Sequence, residues 1–474
     1  MKVLFTHSYF INFDNKQLEL GKPYPPLGTI QAASYIRDND FTVDLFDTYF
    51  SKNATEINPM LSKFAPDVLV IYDDGFNYLT KMCLTRMREA AFTMIAEAKK
   101  RNINVIVASS DSTDHYELYL EKGADCIILG EGELTLLDVL NHFEQNKPIT
   151  NIDGIALKIE DKIIKNSKRP ILTDLDILPI PAWDLININP YRKAWEKHGY
   201  FSINLATTRG CPYKCNWCAK PIYGTRYNSR SPKHVVKEIK YIKTLFKFDH
   251  IWFGDDIFGL KPSWVQEFNQ ELKKENVVIQ YKIQSRADLL LKDDTIENLV
   301  ESGCDEVWIG AESGSQKILD AMDKGTSIKQ IETCTQKMQS QGLKPCFFLQ
   351  FGYLTENWKD IKQTFNLLFE LMPYDIGVSV SYPLPGTKFY DIVKSQLKDK
   401  SNWEDSDELL MMYKSTYSPK FYKKLHRFIH KRFRQKQIER SMKKGHFKNV
   451  LKWGYFKAIS NVIYGELLIL KQGK

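Results

Sequence analysis

The sequence predicts an α/β protein in three parts: an N-terminal doubly wound sheet domain, a second parallel domain forming a partial (β/α)6 barrel, and a helical, basic C-terminal tail. Three observations predict it. Short apolar runs alternate with helical patterns through residues 1–145, the signature of a sheet buried on both faces. Six further strand-then-helix units follow residue 200, and four successive strands end in polar residues. A stretch rich in Lys, Arg and aromatic residues closes the chain after Pro419.

Composition sets the outer limits. A chain of 474 residues suffices for two or three domains. At 43% hydrophobic and 26% charged it is ordinary for a soluble globular protein. Met1-Lys2-Val3-Leu4-Phe5 reads as a strand rather than a signal peptide. No apolar run is long enough to span a bilayer. Eight cysteines in a long chain without a secretory signal do not suggest a disulfide framework. The expected location is a reducing cytoplasm.

In the first domain, Val3-Leu4-Phe5 is the first strand and Leu27 to Arg37 a helix. Val43–Phe46, Val68–Ile71, Val105–Ala108 and Cys126–Leu129 are the next strands. Thr85 to Arg101 and Glu133 to Phe143 are helices. A doubly wound sheet binds ligands at the carboxyl ends of its strands. No GxGxxG follows the first strand, so a dinucleotide site is not expected. Residues 146–200 read as a connector. Ile155–Ile159 and Ile163-Ile164 flank Glu160-Asp161-Lys162 as a hairpin, and Leu178-Pro179-Ile180-Pro181-Ala182-Trp183 follows as an extended linker.

The barrel occupies residues 201–400. Its strands are Ile203–Thr207, His250–Phe253, Val278–Ile283, Glu306–Ile309, Pro345–Phe351 and Ile376–Ser381. Pro232–Phe246, Pro262–Lys274, Asp293–Ser302 and Trp358–Leu371 are helical patterns between them. Asp255-Asp256, Ser285-Arg286, Glu312-Ser313 and Tyr382 lie just past strand ends, the face where barrel enzymes place their chemistry. The stretch 401–474 is the tail.

The most informative motif follows the first barrel strand. Cys211, Cys215 and Cys218 stand in TTRGCPYKCNWCAKP, a CxxxCxxC cluster. Thiolates suit iron–sulfur clusters, and three ligands to four irons leave one iron open to a substrate or cofactor. The alternatives are zinc or unrelated cysteines. Structural zinc takes four closed ligands, and Cys83, Cys126, Cys304, Cys334 and Cys346 are scattered singly. No Ser-His-Asp set, HExxH motif or Walker loop is present.

The triplet, with Trp217 before its third cysteine, resembles the signature of radical S-adenosylmethionine (SAM) enzymes. The resemblance implies a 4Fe–4S cluster on Cys211, Cys215 and Cys218. It also implies SAM on the open iron and reductive cleavage to a 5′-deoxyadenosyl radical. Trp217 would line the adenine side, Asp255 meet the amino end of SAM, and Arg286 and Glu312 meet its carboxylate and ribose. The bland readings are a core aromatic for Trp217, a helix N-cap for Asp255 and an ion pair between the other two.

The first domain resembles the Rossmann-like cobalamin-binding domain that precedes many radical SAM barrels, which are themselves TIM-like. The resemblance rests on Pro25-Pro26-Leu27-Gly28 and on Gly130-Glu131-Gly132-Glu133. It implies cobalamin contacts at Gly28, Gly130, Glu131 and Gly132. Two departures stand out: no Asp-x-His-x-x-Gly motif supplies a histidine to cobalt, and Ser109-Ser110-Asp111 replaces a Gly-Gly pair. The loop with Tyr72, Phe76 and Tyr78 could pass beneath a corrin ring, or simply pack.

Pro383–Thr387, the proline-tryptophan linker and, weakly, the tail extend the resemblance to the porphyrin-cyclase-like, class B methyltransferase branch. That branch implies methyl transfer to an unactivated carbon of a small-molecule or lipid-like substrate, with oxidative cyclisation or rearrangement as the alternative. It also implies an external electron donor such as flavodoxin or ferredoxin. The tail could bind an anionic membrane surface or nucleic acid, the latter with RNA modification as its activity. Packing of its aromatics under snorkelling lysines is the preferred reading, and no nucleic-acid partner is expected.

Overall fold

A computed structural model describes residues 1–82, 84–220, 222–397, 402–406, 408, 411–445 and 450–472. Cys83 and tail residues 446–449 lie outside them. The described chain forms two compact units, one of residues 1–212, 220–281 and 402–408, the other of 213–219, 282–401 and 409–474.

The first unit holds a seven-stranded sheet. Its strands are β1 (Lys2–Thr6), β2 (Thr42–Phe46), β3 (Val68–Tyr72), β4 (Asn104–Ala108), β5 (Cys126–Ile128), β6 (Ile155–Ile159) and β7 (Lys162–Lys165). They run in the order β2-β1-β3-β4-β5-β6-β7. The first five are parallel. Both faces are covered, and Val3, Leu4, Phe5, Val68 to Ile71 and Ile106 are fully buried. Helices α1 (Leu27–Arg37), α2 (Thr85–Lys99) and α3 (Glu133–Glu144) supply cover, with Met94, Ile95 and Ala98 of α2 packed against Leu69, Val105 and Ile127.

The hairpin expected in the connector is part of this sheet. β6 pairs antiparallel with β5, and β7 with β6. Ile155, Ala156 and Leu157 are buried, so three successive apolar residues continue the core instead of bridging two domains. The proline linker lies along α1. Pro179 and Ile180 carbonyls accept from Gln31 and Ser34, and Ala182 donates to Ile30. Trp183 is buried and donates to Glu238 at 3.1 Å.

The second sheet contains β8 (Ser202–Leu205), β11 (His250–Phe253), β12 (Tyr281–Ser285), β13 (Cys304–Glu312), β14 (Lys344–Phe351) and β15 (Asp375–Val380), in chain order. β8 and β15 do not pair, so the barrel is open. A separate ribbon joins β9 (Thr208–Arg209) to β10 (Asn228–Ser229). Several boundaries differ from expectation, β13 among them, which runs from Cys304 to Glu312 instead of Glu306 to Ile309; two have a visible cause. Val278 is 84% exposed, and the buried alternation begins at Tyr281, so β12 starts there. β8 stops at Leu205 because the N–H groups of Thr207 and Thr208 turn to Asp255. Helices α4 (Pro232–Leu245) and α5 (Trp264–Lys274) belong to the first unit, and α6 (Ile328–Ser340) and α7 (Trp358–Leu371) to the second.

The second unit ends in two long helices, α8 (Pro419–Lys443) and α9 (Val450–Gln472). Ser418 caps α8 by accepting the Phe421 N–H, with Pro419 at the first turn. Phe421, Leu425, Phe428, Ile429 and Phe433 form its buried stripe. Phe428 packs on Phe365 of α7 at 5.4 Å between centroids and on Tyr464 of α9 at 5.3 Å. The aromatics of α8 are therefore core, under an exposed basic face. Among the described residues, no helix is long and apolar enough to cross a membrane.

Candidate functional site

The approach to Cys211 is built in the first unit by buried charge. Asp255, just past β11, is fully buried. It accepts the N–H groups of Thr207 and Thr208 at 2.7 and 2.6 Å and their hydroxyls at 3.0 and 2.8 Å. Burial pushes its carboxyl up to about 6 against those four donors. Asp255 thus holds the strand end ahead of the cysteines.

One residue further, Arg209 is 5% exposed. It pairs with Glu131 at 2.7 Å and with Glu133 at 2.6 Å, and stacks over the Tyr223 ring at 5.1 Å. Burial opposes its charge, but Glu133, Tyr223 and Glu131 together hold the guanidinium protonated. Gly210 follows with φ +78°, and a side chain there would collide with the Arg226 carbonyl. The chain can make this turn into Cys211 only with glycine.

The Gly-Glu-Gly-Glu loop has its glycines and acids accounted for internally. A Cβ on Gly132 would lie 2.6 Å from the Tyr72 ring. Glu131 accepts the Leu172 N–H at 2.6 Å as well as Arg209; burial raises its pKa and Arg209 counters. Gly130 turns the chain with φ +89°. The Gly28 N–H donates to Asp74 at 3.0 Å. Tyr72 is buried, Phe76 stacks on Tyr223 at 5.6 Å, and Tyr78 is 52% exposed. Ser109 caps the short helix Ser110–Asp114 in a reciprocal box with Ser112. His7, past β1, is engaged by Asp47 at 2.9 Å.

The cysteine loop proper is anchored in the second unit by neutral groups. Asn216 uses every polar group it has. Its N–H and side-chain NH2 donate to the Met322 and Ala321 carbonyls at 3.0 and 2.7 Å. Its side-chain oxygen accepts from the Tyr353 hydroxyl at 2.8 Å, and its carbonyl from the Phe389 N–H at 2.9 Å. The Cys218 N–H donates to the Cys215 carbonyl. Trp217 is half-buried, and its indole N–H is buried without a hydrogen-bond partner.

Arg286 and Glu312 do not pair with each other. The guanidinium lies 3.7 Å from the Tyr213 ring centroid, pairs with Asp288, and donates to the Lys324 and Gly325 carbonyls and the Thr326 hydroxyl. Glu312 pairs with buried Lys324 at 2.8 Å. Burial disfavours the Lys324 charge, yet Glu312 and the Cys215 sulfur raise its pKa. Glu312 sits at a bulge of β13 with φ +54°, a strained conformation for a residue with a side chain.

Cys211 is buried, and Cys215 and Cys218 are half-buried. Cys126, Cys304, Cys334 and Cys346 are buried too, and burial drives their thiols up, Cys334 to about 12, so they stay protonated. Among the described residues, no three His, Cys, Asp or Glu side chains converge on a point that would hold one metal ion. A four-iron cluster places one thiolate on each of three irons and needs no such convergence. Sequence reasoning missed Arg209, Glu133, Asn216, Lys324 and Tyr353. Arg209 and Asn216 could have been found as polar residues inside the cysteine motif; Lys324 and Tyr353 carry no local signal.

These arrangements coincide with a family match. Residues 205–368, from the end of β8 through α7, match the Radical SAM superfamily. This stretch is a radical SAM domain, and the protein that carries it is a radical SAM enzyme. The chain is 25% identical over 391 residues to an uncharacterized methyltransferase of Pyrococcus horikoshii, covering 81% of this chain and 82% of the relative. It is 24% identical over 406 residues to the anaerobic magnesium-protoporphyrin IX monomethyl ester cyclase of Synechocystis sp., covering 81% and 77%. Its fold matches the cobalamin-dependent S-adenosylmethionine radical enzyme OxsB with aqua-cobalamin bound, at a TM-score of 0.74 and 17% identity, over 98% of this chain and 72% of that one. Against OxsB with S-adenosylmethionine also bound, the TM-score is 0.65 at 18% identity, and the match covers 82% of this chain and about half of that one, 54%.

Proposed function

We propose that this protein is a cobalamin-dependent radical SAM methyltransferase acting on an unactivated carbon of a small-molecule or lipid-like substrate. The observation that carries the reading is the cysteine triplet directly after β8, on a loop that buried groups hold at both ends. In the proposal Cys211, Cys215 and Cys218 ligate a 4Fe–4S cluster, residues 201–400 hold SAM, and residues 1–145 hold the corrinoid. When bound, the cluster and SAM supply radical chemistry and the corrinoid carries a methyl group.

The residues fit these groups. Three thiols on one short loop, with a closed four-ligand set absent among the described residues, suit an iron–sulfur cluster rather than zinc. The orphaned Trp217 N–H is a donor awaiting an acceptor such as an adenine nitrogen. Ser8, Asp73, Ser109 and Gly130 lie one or two residues past the ends of the parallel strands β1, β3, β4 and β5 and give a polar edge for a corrinoid. His7, just past β1, is engaged by Asp47 and Thr48 and so is not offered to cobalt.

The chain's own residues position and shield. Asp255, Arg209 and Asn216 keep the cysteine loop in one conformation. Lys324 neutralises Glu312 and sets a cation near the Cys215 sulfur. Arg286, with its donors taken by Asp288 and three chain positions, braces the segment that carries Lys324. Glu312 is the residue left to receive ribose hydroxyls. A flavodoxin- or ferredoxin-like donor supplies the electrons.

Anaerobic reconstitution with iron, sulfide and cobalamin tests this. The expected product is one cluster and one corrinoid per chain, with 5′-deoxyadenosine formed from SAM under reduction. The cob(II)alamin resonance should lack axial-nitrogen splitting. Replacing the three cysteines by Ala should abolish the cluster and SAM cleavage; full iron retention would refute the assignment. The relationship to the magnesium-protoporphyrin cyclase favours a second reading, radical ring closure. Transfer of a labelled methyl from SAM to product separates the two.

A further inference from the structure

The outer face of α9 is apolar along its length. Leu451, Tyr455, Ala458, Val462, Gly465 and Ile469 are all exposed, and their alternating spacing of four and three residues puts them on one stripe of the helix. Leu451 is 90% exposed, Ile469 70%, Val462 66% and Tyr455 56%. Ser460, Ile463 and Leu467, on the opposite side, are buried. A soluble helix normally reverses this arrangement on its outer face.

Charge frames the stripe. Residues 419–474 contain sixteen Lys and Arg against two Asp and Glu, whereas the rest of the chain has 50 against 56. Glu466, the single acid of α9, is neutralised by Lys424 of α8 at 2.5 Å. Lys431 of α8 lies 5.8 Å from the Tyr455 ring and 5.3 Å from the Phe456 ring, and Lys457 lies 4.7 Å from Trp453. Aromatic rings beside lysines suit the headgroup level of a bilayer, where one end is apolar and the other wet.

We propose that α9 is an in-plane membrane-binding helix, with the Leu451–Ile469 stripe seated among the acyl chains of an anionic lipid surface and the lysines and arginines of α8 and α9 on its headgroups. The alternatives fit less well. Two copies meeting along the stripe would bring together two surfaces that are both strongly positive. A nucleic acid would satisfy the basic residues but leave Leu451, Val462 and Ile469 without an apolar partner. The helix does not span the bilayer, because Lys452, Lys457 and the Lys424–Glu466 pair would have to enter hydrocarbon. This surface stands apart from the chemistry proposed above, so failure of either leaves the other untouched.

The test is vesicle co-sedimentation of the full-length, cluster-loaded protein. The probes are phosphatidylcholine vesicles with and without phosphatidylglycerol. The protein should pellet with the anionic vesicles only. A Leu451→Ser, Val462→Ser, Ile469→Ser variant should bind at least about tenfold more weakly, with an unchanged circular-dichroism melt and unchanged 5′-deoxyadenosine formation. If that variant fails to fold, the corresponding triple Ala variant takes its place. A Lys420→Glu, Lys423→Glu, Arg427→Glu variant should lose the preference for anionic lipid. Absence of pelleting, or equal pelleting of the stripe variant, would overturn the proposal. So would tighter binding to single-stranded RNA than to vesicles. A solution dimer that the stripe variant dissociates, with no lipid binding, would assign the face to a second copy instead.

Discussion

The run that leads into Cys211 and the run that leaves it are held by different physics. Before the cysteine, Asp255, Arg209, Glu131 and Glu133 are ionisable and buried or nearly so, and each is satisfied by another charge or by converging N–H and O–H groups. After it, Asn216 is pegged by carbonyls, an N–H and one hydroxyl, and the charged pairs nearby are Lys324 with Glu312 and Arg286, on the Tyr213 ring, with half-buried Asp288. Buried charges are costly to strand, so the first arrangement is all-or-none, whereas neutral bonds are lost one at a time. The first arm should therefore fail abruptly and with pH, and the second gradually and with little dependence on pH.

Arg209→Met should produce the largest effect. It leaves Glu131 and Glu133 without their cation and should cost about 3–5 kcal/mol in chemical denaturation. Adding Glu131→Gln and Glu133→Gln should restore much of that loss. If the single variant is as stable as wild type, the contrast between the two arms disappears.

Asp255 makes the pH test. Its folded pKa of about 6 lies above the ordinary aspartate value, so the native state holds this proton more tightly than the unfolded chain. Its contribution is fully present below about pH 4 and is lost as pH rises through about 6, a change on the order of 2–3 kcal/mol. Asp255→Asn should flatten that slope relative to wild type in melts taken between those values, even if it lowers stability throughout. An unchanged slope would remove Asp255 from the pH-dependent arm.

Lys324→Met sharpens the comparison from the other side. It strands Glu312 at a strained position and should cost about 2 kcal/mol. SAM cleavage should fall by more than this stability loss accounts for, and SAM affinity, measured by calorimetry, should fall with it. Lys324→Arg should recover stability better than cleavage. The smallest effect belongs to Tyr353→Phe, which removes one donor shared by Asn216 and the Ala321 carbonyl. About 1 kcal/mol and no new pH dependence are expected in the same melts.

What was legible in the sequence was whatever depends on neighbours along the chain. Period and punctuation are local, so helix Leu27–Arg37 and the strands of the first sheet stand within a residue or two of their expected places. The cysteine spacing is local as well, and with it the class of enzyme. Where the chain leaves a sheet is less local. Val278 has a strand-like side chain but faces solvent, so β12 begins at Tyr281, and β8 ends early because Asp255, 48 positions away, captures the N–H of Thr207.

Only the tertiary structure decided what the polar residues touch. Arg209 reads as one letter of a cysteine motif, but its partner Glu131 is 78 positions distant. Asn216 meets Ala321 across 105 positions. Arg286 and Glu312 both stand at strand ends in the sequence, yet their partners are Asp288 and Lys324. The two tail helices already differ in composition, with ten Lys and Arg in α8 against three in α9, but only the fold shows that α8 buries its aromatics against α7 whereas α9 leaves an apolar stripe exposed. The physical reason is common to all of them. Hydrophobic periodicity is set by which side of a helix or strand is buried, and the chain encodes that side every few residues. A buried charge instead depends on one partner brought to it by the whole fold, and nothing in the intervening sequence has to mark that meeting.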